Sequence, residues 1–169
     1  MNINPESRLN SFFLARIQHY NHKKYWRLRE IVIDPANKRS KIYKLMALMY
    51  IKRCDAYNLA SMGTDLGKGA RFESVPHFPH GIKGIIIHPS VKVGKNSVIY
   101  QFVTIGKKND EDSFPVLGDN VTVSAGAKIL GGVKIGNNVV VGANAVVISD
   151  IPDNCIAVGV PAVAKKIKL

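Results

Sequence analysis

Apolar residues in the second half of the chain recur at every sixth position. Ile87, Val93, Ile99, Ile105, Leu117, Val123, Ile129, Ile135, Val141 and Val147 all share one frame. Four places after most of them comes a small or β-branched residue: Val91, Ser97, Val103, Val121, Ala127, Val133, Val139 or Ala145, with Asn109 and Ile151 as the exceptions. A helix repeats every 3.6 residues and a strand every two, so neither produces this period. A six-residue repeat predicts a mainly β chain wound as a parallel β-helix, in which each hexad builds one flat face and three hexads close a triangular coil. The aliphatic residue points into the prism and the small one fits the corner.

The frame breaks twice. An earlier run, Leu66, Phe72 and Phe78, ends nine residues before Ile87, so three extra residues must be accommodated around Pro79-His80-Gly81. The second break lies between Ile105 and Leu117, where Glu111 occupies an aliphatic position and residues 107–115 are expected to loop outward. A local failure in an otherwise consistent pattern often marks a functional site.

Residues 1–57 follow a different rule. Leu9, Phe12, Phe13, Ile17 and Tyr20 have helical spacing, and Ile42, Leu45, Met46 and Met49 share one face of a second helix, with a turn at Asp34-Pro35 between them. This short α-helical segment is expected to cap the open end of the coil, which the chain enters near Asn58. It also holds twelve of the 24 Lys and Arg against four acids, Trp26 and five of the six tyrosines. Its basic, aromatic surface, with Lys23, Lys24, Arg27 and Arg29 read as exposed, suits peripheral contact with anionic lipid headgroups. No nucleic-acid motif accompanies the net charge of +12, so nucleic acid is not an expected partner. Cys54 and Cys155 form no metal or redox motif, residues 1–10 lack the apolar stretch of a signal peptide, and residues 45–51 are too short to span a bilayer. A cytoplasmic protein, at the inner face of the membrane where the basic helices touch it, is the expectation. The chain divides into a basic helical segment (1–57), the β-helix (58–164) and a basic tail (165–169).

PHGIKGIIIHP (79–89), QFVTIG (101–106), SAGAKILGGVKIG (124–136), VGANAVV (141–147) and IPDNCIAVGVPA (151–162) resemble the hexapeptide-repeat acyltransferases. The branch is that of serine O-acetyltransferases and the sugar O-acetyltransferases similar to them. The resemblance implies a left-handed prism, a homotrimer and acetyl-CoA as co-substrate, with no metal. His80 takes the place of the catalytic histidine, and His88, in an Ile-His-Pro step, reads as structural. Gly106, Ala125 and Ala143 fall where such enzymes hold the pantetheine arm and thioester, and Lys165 and Lys166 could reach the CoA phosphate. The outward loop 107–115 would approach the active site of a neighbouring subunit. His77, Gln101 and Phe114 are the candidate acceptor-binding residues.

The chemistry asks for such a histidine. An alcohol holds its proton tightly at neutral pH, and a neutral imidazole accepts that proton as the oxygen attacks a thioester, then returns it to the departing thiolate; such assistance is worth roughly 10²–10⁴ in rate. The tetrahedral oxyanion is held by backbone N–H donors, which Gly-containing turns supply. Two departures from the serine enzymes bear on the acceptor. Pro79 stands where they carry an aspartate beside the catalytic histidine, and Phe114 replaces a second histidine in the loop. A buried ammonium needs an anionic partner, so a sugar hydroxyl of a surface polysaccharide or its precursor is the expected acceptor, with serine as the alternative. A zinc site of the γ-carbonic anhydrase kind would require His77, His80 and His88 to converge.

Overall fold

The computed structural model describes residues 15–109 and 112–166. Helices α1 (His22–Ile33) and α2 (Lys41–Tyr57) precede a left-handed parallel β-helix. Its three faces are four- or five-stranded sheets. The first stacks β4 (Ile86–Ile87), β7 (Thr104–Gly106), β10 (Lys128–Leu130) and β13 (Val146–Val147). The second stacks β3 (Arg71–Phe72), β5 (Lys92–Val93), β8 (Val116–Leu117) and β11 (Lys134–Ile135). The third stacks β6 (Val98–Ile99), β9 (Thr122–Val123), β12 (Val140–Val141) and β14 (Cys155–Gly159), and finishes on β15 (Ala162–Lys166), which runs antiparallel to β14. Before them, β1 (Thr64–Asp65) and β2 (Lys68–Gly69) form a small antiparallel pair.

The register explains the frame. Leu117 pairs with Ile135, Val123 with Val141 and Ile129 with Val147, each eighteen residues or three hexads apart. Across the outward loop the pairs are Val93 with Leu117, Ile99 with Val123 and Ile105 with Ile129, twenty-four apart. The loop therefore adds one hexad's length and leaves the frame undisturbed. Phe72 with Val93 and His77 with Val98 are twenty-one apart, which locates the three-residue insertion between Phe78 and Ile87. All ten frame aliphatics are buried.

One corner carries a polar repeat. Asn96, Asn120, Asn138 and Asn154 all take left-handed φ of 55–57°. Each of the first three donates its side-chain amide to the next one's Oδ1, at 3.1, 3.0 and 3.0 Å. Asparagine tolerates this conformation better than other side chains. Two residues earlier, a Cβ on Gly94 would stand 2.5 Å from the Gly118 carbonyl oxygen, so the coils can stack only on a bare Cα.

The helical cap seats on the first coil through Arg29. That side chain, expected on the surface, is 1% exposed. Its Nε donates to Thr64 Oγ1 at 3.1 Å, and its Nη2 donates to the carbonyls of Met62 (3.0 Å) and Ala70. The guanidinium lies against the rings of Trp26 and Phe72, 5.1 and 4.9 Å from their centroids. Burial pulls its pKa down to about 10. Lys23, Lys24 and Arg27 remain exposed.

α1 begins where Asn21 Oδ1 accepts from the Lys24 amide, and α2 where Ser40 Oγ accepts from the Tyr43 amide. Asp34 ends α1, its Oδ1 accepting from the Ala36 amide in the expected turn. The packing face of α2 differs from expectation. Ile42, Leu45, Met46 and Met49 face outward, 73, 45, 66 and 72% exposed, while Ala47, Ile51, Cys54 and Asp55 are buried. The buried Tyr25 hydroxyl decides this, because it needs an acceptor and donates to Asp55 Oδ1 at 2.6 Å. Ile17 is also exposed and Tyr20 buried; Leu9, Phe12 and Phe13 lie outside the described residues.

Candidate active site

The three inserted residues become a turn over residues 79–84, with Gly81 and Gly84 at φ of 68° and 65°. The Gly81 amide donates to Phe78 O at 3.1 Å and the Gly84 amide to Asn58 O at 2.8 Å, while the Phe102 amide donates to Lys83 O at 3.0 Å. A Cβ on Gly84 would stand 2.3 Å from the Phe102 ring, so that ring and the turn require each other. The turn lifts His80 to the surface, with its ring centroid 5.9 Å from that of Tyr100.

The other histidines have separate settings. His77 is exposed and its backbone is bridged to Val98. It neighbours His22, whose pKa is lowered by burial and by His77. Trp26 Nε1 donates to Tyr20 Oη (3.2 Å), which is itself hydrogen-bonded with His22 Nδ1 (2.8 Å). His88 is half-buried, accepts the Ser90 amide on Nδ1 at 3.1 Å and stacks on Phe114 with centroids 4.3 Å apart. Among the described residues no three His, Cys, Asp or Glu side chains are grouped as metal ligands, so the zinc arrangement does not form. Cys54 and Cys155 are buried free thiols.

The outward loop leaves after Gly106 and rejoins the coil at the buried Pro115, whose carbonyl accepts the Lys92 amide at 3.3 Å. Lys107 Nζ lies 3.8 Å from Asp112 Oδ1, and Ser113 packs so closely over Gly132 that a Cβ there would be 2.7 Å from its own Cβ. Glu111 lies outside the described residues. Gln101 is half-buried, with Oε1 inside and unpartnered.

Ala125 and Ala143 occupy the same corner on successive coils, where the Asn144 amide donates to Ala125 O at 2.9 Å. Gly106 is buried at the end of β7, and a Cβ there would lie 3.5 Å from that of His88. Lys128, which the sequence did not single out, ties this corner together by donating to the carbonyls of Phe102 and Gly126, both at 2.9 Å. Its only signal was a basic residue preceding a frame aliphatic. Lys165 and Lys166 belong to β15, opposite Ile156 and Cys155, rather than to a tail, and both are exposed.

Among the described residues, a left-handed prism of hexads thus carries an exposed imidazole on a three-residue interruption, and this is the class of fold the chain presents. The model for the bacterial transferase hexapeptide (six repeats) matches residues 114–149, so that stretch of the chain is similar to the hexapeptide-repeat transferases. It is similar to a serine acetyltransferase of Synechococcus elongatus, 42% identical over 101 residues, covering 59% of this chain and 41% of the relative. A serine acetyltransferase of Staphylococcus epidermidis is 35% identical over 123 residues, covering 72% of this chain and 57% of the relative. Among solved structures, a serine acetyltransferase in complex with CoA superposes with a TM-score of 0.67 at 25% identity, covering 86% of this chain and 58% of that one. The chain spans about half the length of the curated relatives it matches.

These relatives overturn the saccharide acceptor. They are serine acetyltransferases, the alternative drawn from the sequence. The structure also weakens the physical basis of the sugar reading, because the Phe114 face taken as a sugar platform is stacked on His88 of its own chain.

Proposed function

We propose that the chain is an acetyl-CoA-dependent O-acetyltransferase whose acceptor is the hydroxyl of serine. The observation that carries this reading is the exposed His80 on the three-residue insertion of the prism, in a chain whose matched relatives are serine acetyltransferases. His80 takes the hydroxyl proton as the oxygen attacks the thioester carbonyl. The tetrahedral intermediate then collapses, the C–S bond breaks, and the imidazolium returns the proton to the thiolate. Among the described residues Cys54 and Cys155 are both buried, which favours direct transfer over an acyl-enzyme. Acetyl-CoA lies along the Gly106, Ala125 and Ala143 side of the prism, where small residues admit a thin arm.

Three prisms pack about one axis, and outward-facing apolar residues such as Ile86, Val116 and Ile148 support such an assembly. In it the acidic loop 107–115 reaches a neighbour's His80 and supplies the carboxylate for the serine ammonium that Pro79 cannot.

Thiol release from acetyl-CoA with L-serine tests this directly. His80→Ala is expected to lower kcat at least about 10²-fold in a folded protein. Asp112→Asn is expected to raise KM for serine while moving kcat little. Absence of serine-dependent turnover, or unchanged turnover in His80→Ala, defeats the reading.

A further inference from the structure

The outward stripe of α2 is unexplained by acetyl transfer. Ile42, Leu45, Met46 and Met49 cover two successive turns of the helix and are all exposed, and Arg53 continues the same face one turn on. Exposed cations bracket it: Lys38, Arg39 and Lys41 at its start and Arg53 at its end. The only acid of α2, Asp55, is buried on the opposite face. We propose that this face docks on an anionic lipid bilayer, lying flat with the four apolar side chains entering the headgroup boundary.

Three observations choose this occupant. An apolar stripe flanked by Lys and Arg is what an interfacial helix presents to acidic headgroups. A second copy of the same face would set Lys41 and Arg53 against their own kind, which costs energy where anionic lipid gains it. Among the described residues no helix is long and apolar enough to cross a membrane, so the contact is peripheral. The stripe is only about 10 Å long at 1.5 Å per residue, which makes binding reversible. The site of contact also differs from the basic face of α1 first expected, where Arg29 is committed to the first coil.

The test is co-sedimentation of the full chain with vesicles of equal phosphatidylcholine and phosphatidylglycerol, and with phosphatidylcholine alone. The chain is expected to bind the anionic vesicles only, and less as salt shortens the Debye length. Met46→Glu/Met49→Glu should weaken binding about tenfold or more while leaving acetyl transfer and the circular dichroism spectrum unchanged. The milder Met49→Ser should fall between. No binding by the full chain, equal binding to neutral vesicles, or undiminished binding by both variants overturns the proposal. So does light scattering in which Met46→Glu/Met49→Glu splits a larger assembly, since the face would then belong to a second copy. Vesicle binding is read without turnover, so failure here leaves the enzymatic reading standing.

Discussion

Asp55 is a carboxyl group inside the helical cap, with Oδ1 taking the Tyr25 hydroxyl and Oδ2 buried without a partner. Burial raises its pKa from 3.8 to about 6. The folded chain therefore holds a proton there that the unfolded chain has released. The sign follows from that linkage: this contribution to stability is present below about pH 4 and is lost as pH rises toward and past about 6. Asp55→Asn should remove that slope, by about 2–3 kcal/mol across the window, a figure set by the size of the shift. Thermal melts of both proteins at pH 4.5 and 7.5 check it, and an identical pH response refutes it. Neither this pair nor the seat of Arg29 was legible in the sequence. Tyr25 and Asp55 are thirty residues apart, and Arg29 reaches carbonyls thirty-three and forty-one residues away. A charged residue on an amphipathic helix reads as solvent-facing until the chain that accepts its protons has folded beside it.

At the scale of elements, the hexads were legible because every coil repeats the same demand for one inward aliphatic. The outward loop kept its frame because it inserts one hexad's length, whereas the His80 turn announced itself by slipping the frame three residues. The asparagine corner was equally present, as Gly-x-Asn at 94–96, 118–120 and 136–138, but a search confined to apolar positions passes over it. The orientation of α2 was not legible, since its more apolar stripe lost to a polar contact made across the cap. The turn offers its own test. Gly84→Ala places a Cβ at left-handed φ and against the Phe102 ring. It should displace residues 79–84 and reduce turnover nearly as far as His80→Ala. A melting temperature within a few degrees of the parent, with turnover lost, would separate this from global unfolding. Full activity in Gly84→Ala would show that the turn does not position the imidazole.

In the whole molecule, assembly and activity should be inseparable. On the proposal that the loop of one protomer serves the imidazole of the next, light scattering is expected to find trimers, and dilution to monomer should abolish turnover. An active monomer would contradict the shared site.

The hairpin of β14 and β15 has a consequence for how the protein behaves in a crowded solution. A parallel coil terminates in a rank of open amides and carbonyls, and the asparagine stack repeats the same donor and acceptor at every level, much as cross-β fibrils do. Such an end is a template on which a further molecule could continue the winding. β15 occupies that rank on one face by reversing direction, and it turns Lys165 and Lys166 outward. Lysines on a sheet border repel a second border bearing the same charges. Deleting residues 160–169 should therefore yield filaments visible by electron microscopy at concentrations where the full chain stays discrete. Lys165→Val/Lys166→Val should move the protein part of the way there. On that expectation Lys165 and Lys166 would keep the border of β15 from pairing with another molecule, whatever else their ammonium groups bind.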